Sequence, residues 1–236
     1  MPFFDEATRT LTLRIVYDGL GTAGKTTNVQ KLHDLCTLHR ASPVIAPAVE
    51  RGRTIYFDWL ELNVGLLDDK LSLRCQVLTV PGQFAHAPHR WKLLSTPDAI
   101  VTVCDSSPQG VHRGRVGLDF LRELRTRGVC PNVPLIVQAN KRDLDTAMPL
   151  AQMREALALS DEPMIEATAS TGDGVRLTFI TALDCARHHA RALLREHGTE
   201  SLAPPQSPDE LLAVLRNAFE REGDDAYSVI ETILRS

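Results

Sequence analysis

The chain has 236 residues, 43% of them hydrophobic and 24% charged, and carries a net charge of −4. These values fit one α/β domain with an appendage, and they exclude a globally basic surface of the kind that coats nucleic acid or anionic lipid. With no apolar run of eighteen residues, no leader pattern and no lipidation motif, an integral membrane segment and secretion are not expected, and the expected location is cytoplasmic.

Strand and helix patterns alternate along the chain. TLTLRIVYD (10–18) is a strand closed by Gly19, and KTTNVQKLHDLCTLH (25–39) follows as a helix with apolar residues at helical spacing. TIYFDWLELNVG (54–65) and LSLRCQVLTV (71–80) read as an antiparallel pair around the Asp68-Asp69 turn. AIVTVCD (99–105) is a buried strand, VGLDFLRELRTRG (116–128) a helix, and PLIVQAN (134–140) another buried strand. MPLAQMREALAL (148–159) is a helix, PMIEATA (163–169) a short strand, and 174–198 a long helix ended by glycine. Short apolar strands alternating with helices predict a mostly parallel sheet with one antiparallel hairpin and helices on both faces. The five cysteines (Cys36, Cys75, Cys104, Cys130, Cys185) have no metal spacing and read as reduced core thiols.

The composition changes after residue 197. Residues 198–208 are rich in proline and read as a linker, and 209–236 as an acidic, amphipathic two-helix extension. From 198 onward eight acids face three arginines, giving −5 and leaving +1 for the 1–197 domain. Apolar residues recur at helical spacing at Leu211, Leu215, Ala218 and Phe219, then at Val229, Ile230, Ile233 and Leu234. Helices this short are marginal alone, so they must dock or pair. Docking on the near-neutral body is expected, through Leu215, Phe219, Ile230 and Ile233.

Three stretches carry chemistry. GLGTAGKT (19–26) has the spacing G-x-x-x-x-G-K-[ST] between a strand and a helix. The amides of Gly19, Leu20, Gly21, Thr22, Ala23, Gly24, Lys25, Thr26 and Thr27 are placed to curl round phosphates at a helix N-terminus. Lys25 is expected to reach the β and γ phosphates, and Thr26 to ligate Mg²⁺. NKRD follows the strand ending at Asn140. Asn140, Lys141 and Asp143 face a purine there, and the Asp143 carboxylate matches the paired N–H donors of guanine, which adenine lacks. EATASTGDGV (166–175) follows the next strand and can bring the amides of Ala169 and Ser170 to the guanine oxygen.

On these stretches the chain resembles the Ras-like small GTPases, and within them the bacterial MglA group. The resemblance runs over about residues 8–197 and is strongest in VYDGLGTAGKTTN, RTIYFDWL, LTVPGQ and VQANKRDL. It implies a P-loop GTPase fold, GTP and GDP as substrate and product, Mg²⁺, and slow hydrolysis of GTP by a molecular switch that controls bacterial polarity or motility. In that pattern Thr79-Val80-Pro81-Gly82-Gln83 stands where most Ras-like chains carry D-x-x-G-Q. Gly82 meets the γ-phosphate and Gln83 orients the attacking water. Thr79 holds a metal-bound water without adding negative charge, which predicts a weaker grip on Mg²⁺. Arg53 falls at the built-in arginine finger, Thr54 at the switch threonine on Mg²⁺, and Asp58 at the acid acting indirectly on the metal. The resemblance also implies a roadblock-domain (MglB-like) activator, effectors that read the switches, and recruitment to cell poles through partners.

Other readings stand beside this one. A nucleotide-locked scaffold, or an assembly module gated by its GTPase domain, differs from a turning-over enzyme in multiple-turnover phosphate release. His86 and His89 read as surface residues of the second switch, His188 and His189 as helix-surface residues, Trp59 and Trp91 as core or partner contacts. Arg51 has no role.

Overall fold

The computed structural model describes residues 2–46, 49–50, 53–54, 56–68, 70–82, 87–200 and 202–217, with only the backbone of 49–50 and 53–54. Gln83, His86, Arg51, Ala218, Phe219, Val229, Ile230, Ile233 and Leu234 therefore lie outside the described residues.

The centre of the fold is β2 (Thr10–Asp18), as the sequence predicts. It runs parallel to β6 (Leu71–Thr79), with Leu13 opposite Cys75, and to β7 (Ala99–Asp105), with Ile15 opposite Ala99. Strand β8 (Leu135–Asn140) lies parallel to β7, and β9 (Met164–Glu166) parallel to β8. At the other edge β5 (Trp59–Leu67) pairs antiparallel with β6, which is the expected hairpin. Among the described residues the sheet has the order β5-β6-β2-β7-β8-β9. The three-residue β1 (Phe3–Asp5), too short to signal itself in the sequence, is antiparallel to the first part of β2. Two further strands, β3 (Val49–Glu50) and β4 (Arg53–Thr54), pair antiparallel with each other.

Alternation along β2 sends Leu11, Leu13, Ile15 and Tyr17 to one face. They pack there with Val29 and Leu32 of α1 (Lys25–Leu35) and with Val175, Phe179, Ala182 and Ala186 of α5 (Val175–His197). The opposite face carries Thr12, Arg14, Val16 and Asp18. A TLTLRIVYD alternation would ordinarily leave such a face wet, yet all four side chains are buried. It is covered by α2 (Ala87–Leu93) and α3 (Pro108–Thr126), with α4 (Leu150–Ala156) beyond α3. Helix α2 is unmarked in the sequence, because seven residues with Pro88 in the first turn offer no periodicity to count. Helix α3 starts eight residues before the expected 116. Ser107 caps it by accepting from the Gly110 amide at 3.1 Å, and Pro108 suits the first turn. The added stretch contains Gly110 and Gly114, residues of low helix propensity.

The tail closes the polar face of the sheet. The Ala203 carbonyl accepts from the Phe4 amide at 2.9 Å, extending the edge at β1. Gln206 Oε1 lies 3.4 Å from both terminal nitrogens of Arg14, which also donates to Gln76 (2.9 Å) and Thr96 (3.1 Å) and lies over the Phe3 ring. Burial, countered by Asp98, lowers the Arg14 pKa to about 10. Then α6 (Pro208–Arg216) begins at a capping box formed by Ser207 and Glu210. Its Leu211 and Leu215 are buried in the cluster that contains Val16, Leu93, Leu94 and Val133. Burying a leucine contributes about 1.5–3 kcal/mol, enough to hold a helix too short to form by itself.

Leu215→Ala is therefore expected to destabilise the full chain by about 2–5 kcal/mol in urea unfolding, because the site is sealed on all sides. A loss under about 0.5 kcal/mol, the size of an ordinary surface change, would contradict the docked tail.

Candidate nucleotide site

The loop of residues 19–24 joins β2 to α1 at the carboxyl ends of the parallel strands, where open α/β sheets bind ligands. It fits only without side chains at its root. Gly19 has φ 136°, and a Cβ there would overlap the Val103 carbonyl of β7. Lys25, only 8% exposed, folds back over the loop and donates to the carbonyls of Gly19 (2.6 Å) and Leu20 (3.1 Å). Burial lowers its pKa to about 8, with Asp18 and Asp58 opposing and Arg90 and Arg113 adding to the effect. Thr26 and Thr27 follow in the first turn of α1.

The metal side is organised by a single carboxylate. Asp58 Oδ2 accepts from Thr26 Oγ1 at 2.6 Å and from Thr79 Oγ1 at 2.8 Å. The Asp58 amide donates in turn to Thr79 Oγ1 (2.9 Å), and the Thr79 amide to the Asp58 carbonyl (3.0 Å). The charge missing at Thr79 thus arrives from the neighbouring strand entry, held between Phe57 and Trp59, which are both fully buried. Trp59 is a core residue, and Trp91 is half-buried against the same cluster. One carboxylate with two hydroxyls is a hard-oxygen set that suits Mg²⁺ completed by phosphate and water. Among the described residues no group of three or more His, Cys, Asp or Glu gathers as a metal cage.

The two segments expected to act as switches are described only in part. Arg53 and Thr54 form β4, opposite Glu50 and Val49. The Gly82 carbonyl accepts from the Gly21 amide at 2.9 Å, and a side chain at Gly82 would overlap the Leu20–Gly21 peptide. The segment just before Gln83 therefore rests on the phosphate loop itself.

Asn140 gathers the base side. Its Nδ2 donates to the Ala23 carbonyl (2.8 Å) and its Oδ1 accepts from the Ala169 amide (2.9 Å), so three loops meet on one buried amide. Of the two amides expected near the guanine oxygen, that of Ala169 is engaged by Asn140 in this structure, and Ser170 follows it as an exposed residue. Lys141 takes a left-handed backbone (φ 63°) and its Nζ donates to Asp105 Oδ2 at 2.7 Å. Asp143 is exposed, two residues beyond.

Three contributors had no sequence signal, because they lie on elements without a motif. Arg90 of α2 makes a two-pronged pair with Asp18 (2.8 and 2.7 Å), donates to the Gly117 carbonyl, and lies 4.3 Å over the Phe120 ring. Arg113 of α3 donates to the Gly21 carbonyl and lies 3.4 Å from Thr22 Oγ1. His89, expected at the surface, is instead 3% exposed and stands 5.0 Å from the Tyr56 ring, because α2 turns it inward. His188 is exposed and His189 half-buried, as expected. Cys75, Cys104 and Cys130 are buried free thiols and Cys36 and Cys185 half-buried ones. No helix among the described residues is long and apolar enough to cross a membrane.

Comparison with known proteins agrees with this geometry. The family model described as "ADP-ribosylation factor family" matches residues 4–177. The chain is 34% identical over 177 residues to "Mutual gliding-motility protein MglA" of Myxococcus xanthus, covering 74% of this chain and 90% of the relative. It is 30% identical over 171 residues to "ADP-ribosylation factor-like protein 1" of Drosophila melanogaster, covering 69% and 83%.

Phosphate oxygens near Lys25 would favour its charged form. Binding of GDP to the nucleotide-free chain is thus expected to take up protons above pH 8, where the free lysine is losing its own. Affinity should be full below pH 8 and decline as pH rises past it. Titration calorimetry in two buffers of different ionisation heat measures this, and no proton uptake at pH 8.5 would contradict it.

Proposed function

Because the chain belongs to the ADP-ribosylation factor family, as an MglA-like small GTPase, we propose that it is a GTP/GDP switch that hydrolyses GTP slowly alone and faster with an activator. The observation that supports this reading best is the Asp58 carboxylate joining the Thr26 hydroxyl of the phosphate loop to Thr79 at the root of the second switch. A structural turn has no use for a carboxylate there, whereas a metal–phosphate site does.

The chain's own groups divide the work. Loop amides from Gly19 to Thr27 hold the phosphates, and Lys25 exchanges its two carbonyl partners for β and γ oxygens. Thr26 and Thr54 would hold Mg²⁺ directly, and Asp58 and Thr79 through water. The ion, when bound, neutralises charge on the β and γ phosphates. Gly82 releases Gly21 and turns its amide to the γ-phosphate. Gln83 orients the water whose oxygen attacks the γ-phosphorus as the bond to the bridging oxygen breaks, leaving GDP. Arg53 neutralises charge on the transferring phosphoryl group. Asn140, Lys141, Asp143, Ala169 and Ser170 hold the guanine.

The product is a conformation. With the γ-phosphate ordering both switches, effectors find a surface that GDP does not support. The relative's gliding-motility name favours control of motility or polarity, with a roadblock-domain protein as activator and recruitment to a pole through partners. The acidic extension of 209–236, joined through the linker of 198–208, is the element by which regulation of this chain departs from that relative.

Asp143→Asn is expected to erode the preference for GTP over ATP in competition binding. Equal affinity of the native chain for the two would overturn the guanine assignment. Arg53→Ala is expected to bind GTP nearly normally while losing about 10³–10⁵ in activated hydrolysis, read as phosphate release. Retained activated hydrolysis would move the finger to the activator or to Arg51.

A further inference from the structure

We propose that Arg113 is a positioning residue of the nucleotide site, fixing the Gly21–Thr22 peptide of the phosphate loop. The proposal rests on the phosphate-loop reading above and adds a residue from α3, an element outside the nucleotide motifs. The first observation is reach. Helix α3 lies against the end of β7 so closely that a Cβ at Gly110 would meet Asp105 Cβ at 2.5 Å, and one at Gly114 would meet Cys104 Sγ at 2.5 Å. Arg113 sits on the turn between these two glycines, and its guanidinium arrives at the Gly21 carbonyl and close to Thr22 Oγ1.

The second observation is what is being held. Thr22 has φ 69°, a left-handed conformation that disfavours a β-branched residue and persists only where its surroundings impose it. The Gly21 amide is held by the Gly82 carbonyl, but that bond must break if Gly82 is to face the γ-phosphate. Arg113 holds the carbonyl of Gly21 and so retains the loop when the second switch leaves it. Arginine suits the task, since its planar fork bonds the carbonyl with one arm while staying charged at any working pH.

Full-length Arg113→Gln and Arg113→Lys proteins, with melting temperatures measured alongside, are titrated with fluorescent GDP and a non-hydrolysable GTP analogue. Loss of a charge-assisted bond is expected to weaken Arg113→Gln about tenfold to a hundredfold for both nucleotides at an unchanged melting temperature, with Arg113→Lys in between because it keeps the charge. Native affinity in Arg113→Gln overturns the proposal. Equal losses in both variants with a lowered melting temperature also overturn it, leaving a purely structural contact. Failure of the native chain to bind either nucleotide is a different result, and sinks the phosphate-loop reading itself.

Discussion

The arrangement around the site depends on an ion pair that water does not reach. Asp18 is the last residue of the central strand and is fully buried, and the guanidinium of Arg90 meets both of its oxygens. Breaking such a pair leaves one charge stranded in the interior, at a cost of about 3–5 kcal/mol. That cost binds the helix after the second switch to the residue immediately before the phosphate loop. The face of Arg90 is closed by Phe120 and its remaining donor by the Gly117 carbonyl, so α3 belongs to the same assembly. Strand, loop and two helices are therefore held together as one piece.

Beside that frame stands a second buried carboxylate. Asp58 stands outside any strand, and its place is set by reciprocal bonds with Thr79 and by aromatic neighbours locked in the core. A carboxylate delivered by the entry to β5, rather than by β6 itself, ties the start of α1 to the end of β6 through one oxygen. Changing the position of either segment changes where the negative charge lies.

Much of this was legible in the residues. The loop GLGTAGKT, the NKRD run and the strands that present them follow from spacing and periodicity, because each requires a particular backbone at a particular strand end. The closeness of Asp58 to Thr79 follows from the expected hairpin, since a turn at Asp68-Asp69 sets the two opposite each other across 21 positions, but the bond between their side chains has no sequence signal. Arg90 and Arg113 were not legible. An arginine in a polar helix looks the same whether it faces solvent or turns inward, and the glycines that admit Arg113 read as helix breakers. The polar face of β2 likewise gives no sign of what covers it. Thr12, Arg14 and Asp18 look like solvent positions until the elements that cover them are known, and one of those elements begins almost two hundred residues later.

That last separation has a consequence for how the protein is made. Arg14 and Gln206 are 192 residues apart in sequence. At translation rates of about 5–20 residues per second, the central strand leaves the ribosome some 10–40 s before its final partner is synthesised. Throughout that interval the parallel sheet can assemble, but the face bearing Arg14 has neither Gln206 nor the leucines of α6 over it. The nascent domain waits with a charged, half-built surface that residues 203–215 of its own chain later cover, so synthesis of that segment is the step that closes this face.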